Sequence, residues 1–343
     1  MEKIVLALSG GVDSAVSVHL LREQGYEVYG YTFLSGDDKT KNEEIVRDAK
    51  AVAAHFGIPH DIEDLAEDFH ATVISYFIDS YLNAKTPNPC VFCNKTMKFP
   101  KLLSYADSLG IKKVATGHYA RMQQGRIYRA ANLKKDQSYV LSLLPEAWYP
   151  RIVFPLGDYD KPRIRAIAEG LGLPVAHKGD SQEICFVPND DYKSFLKAHA
   201  GEKIRCGNFM DTAGHILGRH NGIPFYTVGQ RRGIGIAFGE PKYVIGFDRD
   251  ANAVMIGDGK ELFADACRVK NVNLIGGINA SFSCTVKIRY QGVPVPATVS
   301  PTGEEGIWQV HFESPQKSVT PGQYAVFYDG DLLLGGAEIL SAH

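Results

Sequence analysis

Apolar positions follow two different rhythms along the chain, and the change of rhythm falls near residue 195. Before it, compact apolar runs alternate with stretches of helical period. Residues 3–9 and 27–34 have the character of buried strands. Residues 13–24 and 42–56 space their apolar side chains three and four apart, and a glycine closes each, Gly25 and Gly57. The pattern continues with a strand over 60–65, a helix over 68–83, a helix over 99–109 ended by Gly110, and a strand over 112–116 running into Gly117-His118-Tyr119. Such alternation predicts a parallel sheet covered on both faces, with ligands at the carboxyl ends of its strands.

After residue 195 helical period nearly vanishes and glycine becomes frequent. Short alternating strands are expected at 242–247, 253–256, 283–289 and 308–312, with turn residues at 250–252, 301–306 and 329–331 between them. Small β-barrels or compact sheets follow from that texture. The expected organisation is therefore α/β: a parallel-sheet domain over 1–195, a small mostly-β central domain over 196–265 and a C-terminal β-barrel over 266–343.

A length of 343 residues agrees with more than one core. With 45% hydrophobic and 22% charged residues the chain is neither disordered nor fibrous. No apolar run reaches membrane-spanning length. The apolar residues 4–8 are too few for a signal peptide and lead into a glycine turn, so a cytoplasmic protein with no membrane partner is expected. The net charge of -2 announces no polyanion, although basic residues cluster at Lys134-Lys135, Lys161/Arg163/Arg165, Arg231-Arg232 and Lys287/Arg289. Each cluster taken alone reads as a solvated face. Six widely spaced cysteines do not form a disulfide framework. Cys267 and Cys284 lie in alternating apolar stretches and read as core; Cys206 has no informative surroundings.

Three segments carry chemistry. Ser9-Gly10-Gly11-Val12-Asp13-Ser14 joins the first strand to the first helix, so two glycines and the helix start bring backbone N–H groups to an anion. It lacks the Gly-Lys-Ser/Thr ending of a Walker A loop. Thr86 to Lys95 carries Cys90 and Cys93 behind Pro87 and Pro89, which predicts a stiff loop rather than a helix. No second cysteine or histidine pair follows at zinc spacing, and no resident metal site is predicted. Ser181 to Phe186 carries Cys185, which would by itself read as a core cysteine.

The first hexapeptide resembles the PP-loop of ATP pyrophosphatases, which cleave ATP between the α- and β-phosphates. Taken jointly, SGGVDS, TPNPCVFCNKTMKF, ATGHYAR, KDQSYVL, GDSQEICF, GQRRGIGI and PGQYAVFY resemble tRNA-specific 2-thiouridylases of the MnmA type, in order and over almost the whole chain. The resemblance implies an N-terminal PP-loop domain of the adenine nucleotide alpha-hydrolase-like kind, a central domain and a C-terminal barrel. It implies ATP, with Ala7, Leu8, Ser9, Gly10, Gly11, Val12, Asp13, Ser14, Phe33 and Gly117 around it, and Asp13 working near the phosphates through Mg2+. Cys185 matches the cysteine that carries a persulfide and Cys93 the second catalytic cysteine. Asn88, Pro89, Cys90, His118, Lys135, Asp136, Gln137, Arg289, Tyr290 and Gln323 match tRNA-contacting positions.

The implied reaction adenylylates the 2-oxygen of a wobble uridine and replaces it with sulfur. The implied partners are tRNAs reading Lys, Glu and Gln codons and a sulfur donor, either a cysteine desulfurase or a sulfur relay protein. One departure stands out: many members carry aspartate where this chain has Cys90. Three cysteines also admit a competing arrangement, an iron–sulfur cluster on Cys90, Cys93 and Cys185. Two other readings remain at this stage, a PP-loop ligase acting on a small carboxylate and a non-catalytic RNA-binding module that senses nucleotide.

Overall fold

The computed structural model describes residues 1–36, 38–179, 184–236 and 239–343. It forms two compact units. The first comprises Met1–Ile74, Cys90–Phe186 and Asp331–Leu333; the second comprises Ser75–Pro89, Val187–Gly330 and Leu334–His343.

The first unit is built on a parallel sheet of five strands. Their spatial order is His60–Asp64, Tyr26–Leu34, Glu2–Ala7, Lys113–Ala115, Ile152–Val153. The central strand reads as a continuous apolar run because both faces are covered: Ile4, Val5 and Leu6 are fully buried. Helix Val12–Glu23 lies in the core with Ala15, Val16, Val18 and Leu21. Helix Lys39–Phe56 buries only Ala49, Val52 and Ala53 and keeps a polar outer face. Asp38 caps its start by accepting from Lys41 N, and Gly57 closes it in the left-handed conformation.

Two helical expectations are corrected. Thr86 to Lys95 is not a loop throughout: Pro89–Cys93 is helical, Asn94–Lys98 is a π-helical turn, and the α-helix Phe99–Ser108 follows. Proline is compatible with a first helical position, where its missing N–H has no partner to lose, so Pro89 starts the helix instead of preventing it. The stretch expected as one helix over 68–83 is Ala66–Phe69, a π-turn His70–Ile74 and Ser75–Leu82.

The second unit begins inside that stretch. Phe77 meets Phe195 edge-on and Tyr81 stacks on Tyr192, so Ser75–Leu82 packs with helix Tyr192–Ala200. The units therefore part between Phe186 and Val187, and helix Tyr192–Ala200 belongs with the β-rich part. A helical period along 68–83 shows which residues face inward but not that the inward partner changes halfway.

Two β-structures complete the second unit. A four-stranded sheet runs Tyr243–Asp248, Ala253–Gly257, Gly207–Met210, Ile216–His220. Six strands then close into a barrel in the order Phe263–Leu274, Trp308–Lys317, Val295–Pro301, Phe282–Lys287, Tyr324–Asp329, Leu332–Ala342, the last pairing back with the first. Val269, Val286, Val299, Val310, Phe327 and Ile339 fill it. Cys267 is fully buried there and Cys284 packs against the same core, as expected.

Barrel closure is tight at Gly335, where φ is +131° and an added Cβ would lie 1.9 Å from the Asn273 carbonyl oxygen. Gly335→Ala should cost about 3 kcal/mol or more, because neither backbone can yield without breaking the seam. Urea denaturation checks this; a midpoint equal to that of the parent chain would place the seam elsewhere.

Candidate active site: a phosphate loop and a thiol cluster

The sheet reverses its order between Glu2–Ala7 and Lys113–Ala115, which opens a crevice at their carboxyl ends. Both loops that line this crevice were expected at the site. Leu8 to Gly11 leaves the first strand, and Thr116 to Tyr119 leaves the fourth. Gly10 adopts φ +69°, and a Cβ there would meet Asp48 Cβ at 3.0 Å and the Ile45 carbonyl at 3.1 Å. Only glycine allows the loop to lie so close to helix Lys39–Phe56. Gly11 is the N-cap of helix Val12–Glu23 and supplies no side-chain cap, which leaves the first-turn N–H groups for an anion.

The loop is closed on itself. Ser14 Oγ accepts from Ser9 N at 3.2 Å and donates to the Gly11 carbonyl at 3.0 Å. Gly117 approaches from the other side, where a Cβ would stand 3.4 Å from Ser14 N. Leu8 is buried and bonded through its N–H to Tyr31 O, while Ala7 and Phe33 are partly exposed near the carboxyl ends of neighbouring strands. Ala7, Leu8, Ser9, Gly10, Gly11, Val12, Asp13, Ser14, Phe33 and Gly117 are thus brought to one end of one sheet. These residues fit the phosphates of a nucleotide: the loop is shaped by its own hydrogen bonds, and the helix start that follows has no side-chain cap.

Two lysines stand beside the cradle, and sequence reasoning assigned neither. Lys161 Nζ is 2.8 Å from Oδ1 and 2.8 Å from Oδ2 of Asp13, and the Tyr119 hydroxyl donates to Oδ1 at 2.7 Å. Lys178 Nζ pairs with Asp48 at 2.6 Å and lies 3.5 Å from the Gly10 carbonyl. Lys161 had been grouped with Arg163 and Arg165 as a solvated face; it is instead buried. Its one sequence signal is its place in Asp160-Lys161-Pro162, a cation at the start of a helix, where the dipole disfavours it.

Cys90, Cys93 and Cys185 all belong to the first unit. Ser181, Gln182 and Glu183 of the third motif lie outside the described residues. The Lys41 ammonium donates to the Cys185 carbonyl at 2.6 Å. Because Lys41 and Asp48 share helix Lys39–Phe56, seven residues apart, one element holds both the Cys185 backbone and the phosphate loop, about 10 Å apart along its axis. The three thiols feel one another electrostatically, and Lys98 acts on all of them.

Burial pushes the Cys93 thiol up to about 12, with Lys98 opposing and the other two thiols adding to the rise. Burial likewise raises Cys90 and Cys185. Both of these residues still expose surface, so protein crowds each sulfur on one side while solvent reaches the residue from another. The Lys98 backbone N–H, at the end of the π-turn, also acts on the Cys93 thiol and lowers its value. Among the described residues no group of three or more His, Cys, Asp and Glu side chains is arranged to hold a metal ion.

The residues expected at tRNA fall into two sets. Arg289 and Tyr290 are exposed on the barrel, with Arg289 Nη2 on the Lys317 carbonyl and Lys287 over the Tyr290 ring. Asn88, Cys90 and Lys135 also have accessible surface. His118 and Asp136 are buried, and Pro89 is too. His118 bonds Thr116 Oγ1 at 2.7 Å, and burial, with Lys98 next, holds its imidazole well below the ordinary range. Asp136 accepts from Ala130 N, Ser138 N and Ser138 Oγ. Both side chains are engaged in organising the loop that carries them. Gln137 Oε1 accepts from Tyr119 N, and Gln323 Nε2 donates to the Thr86 and Pro87 carbonyls. Gln137 and Gln323 therefore brace backbone as well.

A switch-point phosphate loop and three cysteines in one unit are the features of an ATP-dependent sulfur-handling enzyme of the α/β nucleotide-binding class. Comparison with known proteins agrees. A tRNA methyl transferase HUP domain matches residues 2–189, a tRNA methyl transferase PRC-barrel domain 193–258 and an aminomethyltransferase beta-barrel domain 264–339. The tRNA-specific 2-thiouridylase MnmA of Carboxydothermus hydrogenoformans is 44% identical, over 98% of this chain and 97% of its own. That of Heliobacterium modesticaldum is 44% identical over 99% and 92%, and that of Clostridioides difficile 42% over 98% and 98%. The chain belongs to the MnmA family of tRNA-specific 2-thiouridylases.

Only the thiolate alkylates, so the raised Cys93 value has a measurable consequence. In sulfur-free protein at pH 8, Cys93 should react with iodoacetamide at least about tenfold slower than in the urea-unfolded chain, and its rate should keep climbing toward pH 12. Peptide mapping by mass spectrometry reads this. A rate that levels off below pH 9 would contradict the crowded, neutral thiol described here.

Proposed function

We propose that this chain is a tRNA-uridine 2-sulfurtransferase that converts the wobble uridine of tRNA to 2-thiouridine at the expense of ATP, releasing AMP and pyrophosphate. The observation that carries the reading is the presence, in one compact unit, of a pre-shaped phosphate loop and of Cys90, Cys93 and Cys185, with the Cys185 backbone held by the helix against which that loop packs. A small-carboxylate ligase needs the loop but not the thiols, and a nucleotide-sensing RNA module needs neither thiol. The matched domain descriptions speak of methyl transfer, whereas the relatives are thiouridylases. The thiol cluster favours sulfur.

The uracil 2-oxygen is a poor leaving group, and ATP supplies the adenylyl group that makes it a good one. Around it, the N–H groups at Gly10 to Ser14 hold the phosphates, and the helix dipole offsets their charge. Cys185 carries the incoming sulfur as a persulfide. Its terminal sulfur attacks the uracil 2-carbon; a carbon–sulfur bond forms as the carbon–oxygen bond breaks and AMP departs. The Cys93 thiolate then attacks the Cys185 sulfur, which frees the 2-thiouridine and leaves a Cys93–Cys185 disulfide. An external dithiol returns the two electrons, and a cysteine desulfurase or sulfur relay protein reloads Cys185.

Both thiols are neutral at pH 7 in the structure, so thiolate character must be induced when substrate enters. Lys98 lowers both values and is placed to stabilise the developing negative charge. The exposed Arg289 and Tyr290 and the partly exposed Lys135 and Asn88 meet the RNA, with the target base unstacked. The tRNAs are those reading Lys, Glu and Gln codons, and the compartment is the cytoplasm; no described helix is long and apolar enough to cross a membrane.

Cys93→Ser and Cys185→Ser should each abolish 2-thiouridine, while Cys90→Asp keeps substantial activity because Cys90 is assigned no bond-making step. Nucleoside mass spectrometry of treated tRNA measures all three, and intact mass after loading should show one added sulfur atom on Cys185. Stoichiometric iron in anaerobically purified protein, with activity following the iron, would overturn this mechanism in favour of a cluster.

A further inference from the structure

The PP-loop carboxylate is the residue to which the family resemblance assigns magnesium, and the structure uses it otherwise. Lys161 Nζ spans both oxygens of Asp13 at 2.8 Å, and the Tyr119 hydroxyl takes a third position at 2.7 Å. A carboxylate offers about four such positions. Lys161 is no surface lysine resting on a convenient acid, because only 11% of its side chain is exposed. It occupies the first position of helix Lys161–Gly170, where a cation opposes the dipole. The helix does not need it there, since Asp160 already caps the start by accepting from Arg163 N at 2.9 Å. A buried ammonium in a locally unfavourable place, turned onto the single carboxylate of the phosphate loop, answers a demand from the site rather than from the helix.

A magnesium ion bound directly to Asp13 would have to sit about 2 Å from one of its oxygens. The ammonium already lies 2.8 Å from each of those oxygens, so two cations would crowd one carboxylate. Three of the roughly four positions on Asp13 are already taken, so its carboxylate is committed first to Lys161 and Tyr119. The residues present fit a fixed cation held beside the cradle, in the helix turn whose N–H groups face the phosphates.

We propose that Lys161, and not magnesium, is the cation that Asp13 serves: Asp13 and Tyr119 orient the Lys161 ammonium toward the pyrophosphate portion of the nucleotide, and any divalent ion is held by the phosphates themselves. This rests on the ATP reading given above. Asp13 and Tyr119 are then positioning residues, and Lys161 is a substrate-binding one.

The test is calorimetric binding of pyrophosphate and of a non-hydrolysable ATP analogue to the full chain, without magnesium and across a magnesium titration. Lys161→Met should weaken pyrophosphate binding about tenfold or more, the range of one charged hydrogen bond. Asp13→Asn should weaken it similarly while leaving the magnesium concentration for half-maximal effect unchanged. The double variant should be no weaker than the worse single one, because the two residues act as a unit. Tyr119→Phe, which removes one oxygen, should weaken binding by a smaller factor, and Lys161→Arg should restore part of the loss; these two carry the test if Asp13→Asn does not fold. An Asp13→Asn protein that needs about tenfold more magnesium, alongside a Lys161→Met protein with parental pyrophosphate affinity, would overturn the proposal. Parental protein that binds neither ligand would instead remove the ATP reading on which it stands.

Discussion

The backbone of Gly10 runs against helix Lys39–Phe56 with no room for a single methyl group, and much of the first unit follows from that approach. The contact fixes where the first strand turns, and hence where the first-turn N–H groups of helix Val12–Glu23 point. It also brings Asp48 beside the loop, which lets Lys178 stand at the Gly10 carbonyl. The same helix carries Lys41 near its start, so the Cys185 backbone takes its position from the element that shapes the phosphate loop. The phosphate loop and the Cys185 backbone are in this way registered by one helix.

Charge is arranged with similar economy. The described ammonium groups next to the cradle are each paired with a carboxylate, Lys161 with Asp13 and Lys178 with Asp48. Each pair is neutral overall, which offsets the burial of the Lys161 ammonium. The thiols follow the opposite logic. They are kept uncharged by crowding, with Lys98 near enough to stabilise the anion once chemistry requires it. An uncharged resting thiol is less open to oxidation than a thiolate.

Much of this was legible in the sequence, and the illegible part has physical causes. Strand and helix alternation up to residue 116 showed the parallel sheet, and SGGVDS directly after the first strand marked the crevice. The β-rich texture marked the barrel. Pro87 and Pro89 misled, because the proline effect that disrupts a helix interior is harmless at its first position. The division of the chain inside residues 66–82 left no trace, since Phe77 and Tyr81 keep the same period whichever partner they face. Lys161 lies 148 residues from Asp13, and a one-dimensional pattern cannot pair them. His118 and Asp136 sit in motifs that the family resemblance links to RNA, and a motif does not reveal that both side chains are buried and bonded within their own loop.

The turn Pro321 to Gln323 grips the chain some 235 residues earlier. Thr86 N donates to the Pro321 carbonyl, Gln323 donates back to Thr86 and Pro87, and Gly322 leaves no space for a side chain against Lys85 and Thr86. The C-terminal barrel is therefore not an appendage that could be exchanged freely for another module. A replacement would have to reproduce this clasp, or the short stretch before the first cysteine would have to change in the same event. A chimaera that exchanged this barrel would therefore have to carry residues 85–87 and 321–323 together.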